Sequence, residues 1–139
     1  MDISSHPPLP WRLESKISFS AIGYVENQFN EPVSASEIRA AESRIVLRPD
    51  LSKGLQGFEP GQRIMVVFYF HRSDRFDLLQ HPQGDRSRPR RGVFTLRSPK
   101  RPNPIGITVV ELVGIDNYIL CVRGLDAIDG TPVLDIKPA

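Results

Sequence analysis

The strongest constraint on the fold is the run RIMVVFYF at residues 63–70. Its β-branched and aromatic side chains favour a strand, and its nearly continuous apolar character predicts that both faces of this strand are covered. Six or seven short strands with hardly any helix between them predict an all-β fold, either a small β-barrel or a sandwich. A barrel is favoured because it leaves no apolar edge strand exposed. The other strand candidates are residues 17–25, 44–47, 92–96, 107–114, 118–125 and 131–136.

The segments between these runs carry turn signals and a helix-cap signal. Ser34 and Glu37 have the spacing of a capping box, which predicts a short helical turn. A second helical turn is predicted at residues 74–80. Glycine, proline and aspartate predict loops at residues 51–62 and 81–92 and tight turns at residues 116–117 and 129–130.

The length of 139 residues and the hydrophobic content of 40% suit one domain with its own core. Prolines at positions 7, 8 and 10 indicate a flexible N-terminal tail at residues 1–15, ahead of a single domain at residues 16–139. No apolar run approaches the roughly 20 residues of a membrane span, and the N-terminus lacks the pattern of a signal peptide. We therefore expect a cytoplasmic protein without a membrane partner.

Several kinds of chemistry are disfavoured by the residues available. Cys121 is the single cysteine, so no internal disulfide and no multi-cysteine zinc site is expected. The three histidines, at positions 6, 71 and 81, have no metal-ligand spacing, so we expect no metal. The sequence has neither a P-loop nor the glycine pattern of dinucleotide-binding folds. Any nucleotide-like cofactor must therefore be held in another way.

Positive charge is concentrated at residues 85–101, where seven arginines and lysines accompany one acidic residue in a chain of net charge +2. This basic segment indicates an anionic partner, although a solvated basic loop is equally compatible with charge alone. The stretch SPKRPNPIG contains three prolines that set the backbone before any ligand arrives. Such rigidity would hold Arg97 and Arg101 ready for a carboxylate or phosphate, with Asn103 as a combined donor and acceptor.

Two long motifs resemble a known family. GVFTLRSPKRPNPIGITVVELVGI and RGLDAIDGTPVLDIKP closely resemble the TsaA/TrmO family, and FYFHR and AIGYV are similar to its shorter strand motifs. The resemblance implies small β-barrels that form homodimers and bind S-adenosylmethionine without a dinucleotide-binding fold. It also implies a tRNA methyltransferase, because the characterised bacterial branch methylates the exocyclic nitrogen of threonylcarbamoyladenosine beside the anticodon.

Carried over motif by motif, the resemblance implies two sets of site residues. The residues expected to contact the cofactor are His71, Arg72, Arg97, Ile107, Arg123, Gly124, Leu125 and Asp126. The residues expected to contact tRNA are Arg90, Arg91, Lys100, Arg101 and Asn103. The early cofactor-contacting segment of the family is matched only weakly, by Pro32 and Val33. The general base is not identified.

Two alternatives stay open at this point. The barrel could bind S-adenosylmethionine, another adenosine-type ligand or RNA without catalysing a reaction, or it could methylate a different substrate. The second alternative follows from the longer bacterial members, which continue beyond the position of Ala139. Methyl transfer depends on positioning and requires neither a metal nor a covalent nucleophile, which agrees with the residues available.

Overall fold

A closed barrel of six strands forms the body of the structure, a computed structural model that describes residues 16–30 and 34–139. The barrel strands are β1 Gly23–Glu26, β2 Glu42–Leu47, β3 Arg63–Tyr69, β6 Ile105–Asp116, β7 Ile119–Arg123 and β8 Pro132–Pro138. A separate two-stranded ribbon is formed by β4 Leu79–Gln80 and β5 Arg91–Gly92. Around the barrel the order is β1-β2-β7-β6-β3-β8, and β8 returns to β1. All neighbours are antiparallel, and the predicted small all-β barrel is confirmed.

Alternation within the strands builds the core. In β3 the side chains of Ile64, Val66 and Phe68 are buried inside the barrel, whereas Val67 and Tyr69 lie on its outer face. For the single chain, the prediction that both faces of this strand are covered is therefore wrong. The barrel closes around one face only, and Met65 and Val67, which lie between the buried residues, are half-buried.

The longest strand, β6, pairs with two neighbouring strands. Residues 105–111 pair with β3, and residues 111–116 pair with β7. The register of the pairing with β7 shifts between Leu112 and Gly114, as at a β-bulge. At its end Asn117 adopts a φ of 59° in a tight turn, which confirms the turn predicted here.

The segment that connects β3 with β6 differs from the prediction in two places. Residues 74–80 form no helical turn and lead instead into the β4–β5 ribbon. Residues 92–96, predicted as a strand, form one turn of 3₁₀ helix at Val93–Thr95. In this turn Val93 is 1% exposed and Phe94 is 77% exposed. A strand gives the same alternation of buried and exposed neighbours, so composition does not distinguish the two.

Two helical pieces flank β2. Helix α1, Ala35–Ala40, begins after Ser34, whose hydroxyl accepts a hydrogen bond from the Glu37 amide at 3.3 Å, so the predicted helical turn is confirmed. A 3₁₀ helix at Pro49–Leu55 occupies the start of the segment predicted as a loop, which corrects that prediction. This helix forms because proline is accepted in its first turn and Leu55 packs into the core.

The first strand is shorter than predicted. β1 begins at Gly23, because Ile17 and Phe19 stay exposed rather than joining the barrel core. The predicted tail at residues 1–15 and the weak cofactor candidates at positions 32 and 33 lie outside the described residues. Within the described ranges, no helix is long and apolar enough to cross a membrane.

Candidate active site at the barrel mouth

Three segments meet at one open end of the barrel, which we call the barrel mouth. They are residues 68–72 at the end of β3, residues 105–108 at the start of β6, and residues 124–128 after β7. Two adjoining cavities of about 630 and 1170 Å³ open here and are called the smaller and the larger cavity. Both are lined by Phe68, Phe70, Asp77, Pro99, Lys100 and Asp126. A ligand that spans both cavities would contact these shared residues.

Two phenylalanine rings lie beneath both cavities. The rings of Phe68 and Phe70 meet edge to face, with centroids 5.2 Å apart and planes at 75°. Gly106 allows this packing, because an added Cβ would lie 2.6 Å from Phe68 Cζ and 2.8 Å from Phe70 Cζ. Any larger residue at this position would displace the rings. The mouth therefore has an aromatic floor beneath polar walls, an arrangement suited to a planar ligand.

The smaller cavity contains the two residues that follow Phe70. His71 and Arg72 both line it, and the Arg72 guanidinium donates to the Asn30 carbonyl at 2.9 Å. Partial burial, and secondarily the positive charge of Arg72, lowers the pKa of His71 below its ordinary value. The imidazole of His71 is therefore neutral near pH 7, and one of its nitrogens can accept a proton or a hydrogen bond.

Asp126 lies where the two cavities meet. The chain leaves β7 through Gly124, whose φ of 100° favours glycine. Leu125 and Ala127 are buried on either side and fix the backbone of Asp126. The Asp126 carboxylate accepts a hydrogen bond from the Thr108 hydroxyl at 2.5 Å. A carboxylate placed in this way is a suitable acceptor for a ribose hydroxyl, an ammonium group or an exocyclic N–H.

The proline-rich segment forms one wall and is held by side-chain hydrogen bonds. The Arg101 guanidinium donates to the carbonyls of Leu96 at 2.9 Å and Ser98 at 3.1 Å. Gln80 of β4 donates to the Lys100 carbonyl at 2.6 Å and so ties the segment to the β4–β5 ribbon. Arg101 thus stabilises the segment from within, whereas the side chain of Lys100 is exposed beside both cavities.

Positive charge is concentrated around the larger cavity. Its basic lining residues are Arg86, Arg88, Arg91, Arg97, Lys100 and Arg101, all of them exposed except the half-buried Arg101. The carboxylates among its described lining residues are Asp77 and Asp126. The excess of positive charge attracts anions and suits the phosphate groups of a nucleic acid.

The structure brings most of the predicted site residues together. Those that line the cavities are His71, Arg72, Arg97, Ile107 and Asp126 of the cofactor set and Arg91, Lys100 and Arg101 of the tRNA set. Those that lie outside the described linings are Arg90, Asn103, Arg123, Gly124 and Leu125. Arg123 forms ion pairs with Glu42 at 2.9 Å and with Glu111 at 2.7 Å, and Leu125 is wholly buried.

Sequence reasoning missed several residues at the mouth. Phe70 directly precedes His71, and Thr108 directly follows Ile107. Their position next to predicted site residues was the only indication in the sequence that Phe70 and Thr108 belong to the site. No local pattern connects Thr108 with a carboxylate 18 residues away, or Gln80 with a carbonyl 20 residues away.

Metal ligands are not grouped at this site. Among the residues that the structure describes, no cluster of three or more His, Cys, Asp or Glu side chains could hold a metal ion. The donors and acceptors at the mouth include two imidazoles, guanidinium groups, an ammonium group, hydroxyl and amide groups and carboxylates. Such groups are suited to hydrogen bonds and ion pairs with an organic ligand.

Comparison with known proteins identifies the family. The family model described as the tRNA-methyltransferase O N-terminal domain matches residues 23–139. The chain belongs to the TrmO family. The resemblance carried by the two long motifs is thereby confirmed.

Similarity to individual proteins agrees with the assignment of this chain to the TrmO family. A probable S-adenosyl-L-methionine-binding protein of Pyrococcus abyssi is 40% identical over 126 residues, covering 88% of this chain and 67% of that protein. The tRNA (adenine(37)-N6)-methyltransferase of Mus musculus is 36% identical over 128 residues, covering 84% of this chain and 29% of that protein. The crystal structure of TrmO from Pseudomonas aeruginosa has a TM-score of 0.69 at 34% identity, covering 90% of this chain and 56% of the solved one. The chain thus spans about half the length of that TrmO.

Proposed function

We propose that this TrmO-family chain binds S-adenosylmethionine at the barrel mouth and transfers its methyl group to an adenine of tRNA. The observation that carries the proposal is a pair of adjoining cavities that share the Asp126 carboxylate, the larger of them with an excess of arginine and lysine over carboxylates. Family membership supports the cofactor and the class of reaction. The relatives' names, S-adenosyl-L-methionine-binding protein and tRNA (adenine(37)-N6)-methyltransferase, support the same reading.

The residues at the mouth fit S-adenosylmethionine. The phenylalanine floor suits an adenine ring, Arg97 can pair with the methionyl carboxylate, and Asp126 can accept from a ribose hydroxyl or the methionyl ammonium. His71 and Arg72 lie beside them in the smaller cavity. The inclusion of residues 123–125 rests on the resemblance alone. When bound, the cofactor supplies an electrophilic methyl group, and the chain's residues contribute chiefly by binding and orienting the two reactants.

The basic segment is proposed to face the phosphates of tRNA. Such contacts release counterions, so binding should weaken steeply as salt is raised. We propose threonylcarbamoyladenosine as the methylated residue, by resemblance to the characterised bacterial branch. The carbamoyl group makes its exocyclic nitrogen weakly basic, so the N–H proton must leave as the N–C bond forms. His71 and Asp126 are placed at the mouth where either can accept that proton.

A second copy of the chain is proposed to cover an apolar stripe beside the site. Tyr69, Ile105, Ile107 and Val109 are exposed on the outer face of β3 and β6, and Val67 lies opposite Ile107. A symmetric dimer through this stripe would remove its apolar surface from water. Sedimentation analysis tests this part: Ile107→Asp should be monomeric where the wild type is dimeric, and a monomeric wild type would overturn it. The cytoplasm, where tRNA is found, is the proposed compartment.

Calorimetry with S-adenosylmethionine tests the proposed cofactor. Arg97→Ala should bind about tenfold more weakly than the wild type, because a hydrogen bond to a charged group is lost. Arg48→Ala is the matched control, since Arg48 is exposed and paired with Asp50 rather than placed at the mouth. A wild-type protein that binds no S-adenosylmethionine would exclude the proposal. Binding without any methylated tRNA nucleoside, measured by mass spectrometry, would favour the non-catalytic alternative or a different substrate.

A further inference from the structure

Thr108 occupies an inward-facing position near the start of β6. It lies opposite Val66 of β3, and the inward-facing residues on either side of it, Gly106 and Val110, are buried. Thr108 itself is half-buried at the edge of the larger cavity. Its hydroxyl donates to Oδ1 of Asp126 at 2.5 Å. A valine would fill the same volume in this apolar row, so the hydroxyl needs an explanation of its own.

The hydrogen bond joins a conformationally restricted donor, Thr108, to the Asp126 side chain, whose χ2 torsion is only weakly restricted. Thr108 is β-branched and lies in a paired strand, so few of its rotamers are accessible. The backbone around Asp126 is fixed by the burial of Leu125 and Ala127 and by the Asn27 amide, which donates to the Ala127 carbonyl at 2.8 Å. The outer torsion of aspartate is nevertheless broad, so a fixed backbone alone does not set the plane of the carboxylate. The Thr108 hydroxyl supplies a fixed direction for it.

We propose that Thr108 is a positioning residue that orients the Asp126 carboxylate toward the ligand at the junction of the two cavities. The inference rests on the proposed function, because it assigns Asp126 to cofactor binding or proton transfer. A bond from a hydroxyl to a carboxylate is charge-assisted, and 2.5 Å is at the short end of the range for such bonds. Losing a charge-assisted bond of this kind, which contributes to the orientation of the carboxylate, corresponds to roughly 10- to 100-fold in an equilibrium or rate constant.

The test compares Thr108→Val, which keeps the shape and removes the donor, with Thr108→Ser, which keeps the donor in a smaller side chain. Each is measured for its S-adenosylmethionine dissociation constant and for kcat and KM of methyl transfer to tRNA, with thermal unfolding in parallel. Thr108→Val should lose roughly tenfold or more in cofactor affinity or in kcat, and Thr108→Ser should recover to within about threefold of the wild type. A threonine that only fills space would give the reverse order, because serine leaves the larger void.

A double-mutant cycle with Asp126→Ala separates positioning from packing. In that background Thr108→Val should change the dissociation constant by less than about twofold, because no carboxylate remains to be oriented. Effects that multiply, or a Thr108→Val protein equal to the wild type, would overturn the inference. If Thr108→Val fails to fold, Thr108→Ala replaces it in the double-mutant cycle, and the cycle alone then decides between positioning and packing. A wild-type protein that binds no S-adenosylmethionine would instead overturn the proposed function, and this inference with it.

Discussion

Replacing Gly106 by alanine probes the packing beneath the site. The new Cβ would lie 2.6 and 2.7 Å from the Cζ and Cε2 atoms of Phe68 and 2.8 Å from Cζ of Phe70. Carbon atoms normally pack about 3.5–4.0 Å apart, so the rings must shift by about 1 Å. Phe68 is 2% exposed and belongs to the core cluster, so it cannot move without disturbing its neighbours. Overpacking of this kind costs about 1–3 kcal/mol.

We therefore expect Gly106→Ala to lower the free energy of unfolding by about 1–3 kcal/mol in urea denaturation. It should also weaken S-adenosylmethionine binding, because the aromatic floor moves. Gly54→Ala is the matched control, since an added Cβ at Gly54 meets no atom within 4 Å. Adding Phe68→Leu to Gly106→Ala should cost less than the sum of the single changes, because the smaller leucine leaves room for the new methyl group. Equal stability of Gly106→Ala and Gly54→Ala would refute the close packing described for the two rings.

Three further predictions concern the walls of the mouth. Arg101→Met removes two hydrogen bonds within the proline-rich segment, so amide hydrogen exchange should accelerate at residues 96–101. The free energy of unfolding should fall by no more than about 1 kcal/mol. Unchanged exchange would contradict the role of Arg101 in holding this segment. The pKa of His71 is lower in the folded protein than its ordinary value of 6.5, so the unfolded chain binds the proton first as pH falls. The free energy of unfolding should therefore rise with pH through the window just below 6.5. Denaturation at several pH values should show a smaller rise in His71→Gln, and an equal rise would contradict the shift. Replacing Arg86 and Arg88 together by alanine should weaken tRNA binding and reduce the slope of log K against log salt by about two, with S-adenosylmethionine affinity unchanged; an unaltered slope would exclude phosphate contacts by this pair.

The barrel could be predicted because its strands are short runs rich in β-branched and aromatic residues, separated by turn signals and with hardly any helix between them. In β3 the run of β-branched and aromatic residues predicts the strand, but its continuous apolar character does not show that only every second residue from Ile64 to Phe68 is buried. The sequence of residues 92–96 predicts a strand, but a buried Val93 beside an exposed Phe94 fits one turn of 3₁₀ helix equally well. The choice between the two is made by the pairing of β4 with β5, which is not visible in the segment alone.

Only those site residues that lie within recognisable sequence motifs could be predicted. His71, Arg97 and Asp126 were each inferred from a motif, and the structure places all three at the barrel mouth. The contact between Thr108 and Asp126 depends on how the chain after β7 runs beside β6, which no local pattern encodes. The basic side chain of Arg101 predicts a contact with tRNA, and its charge alone does not show that it also donates to carbonyl groups of its own segment.

The central claim is that one site at the barrel mouth serves both the cofactor and the adenine of tRNA. Its most direct test is the transfer of an isotopically labelled methyl group from S-adenosylmethionine to tRNA, followed by nucleoside mass spectrometry. The wild-type protein should place the label on a modified adenosine, and Asp126→Ala should do so at least about tenfold more slowly while retaining its fold. Labelling that proceeds equally well in Asp126→Ala, or no labelled nucleoside despite measured cofactor binding, would contradict the claim.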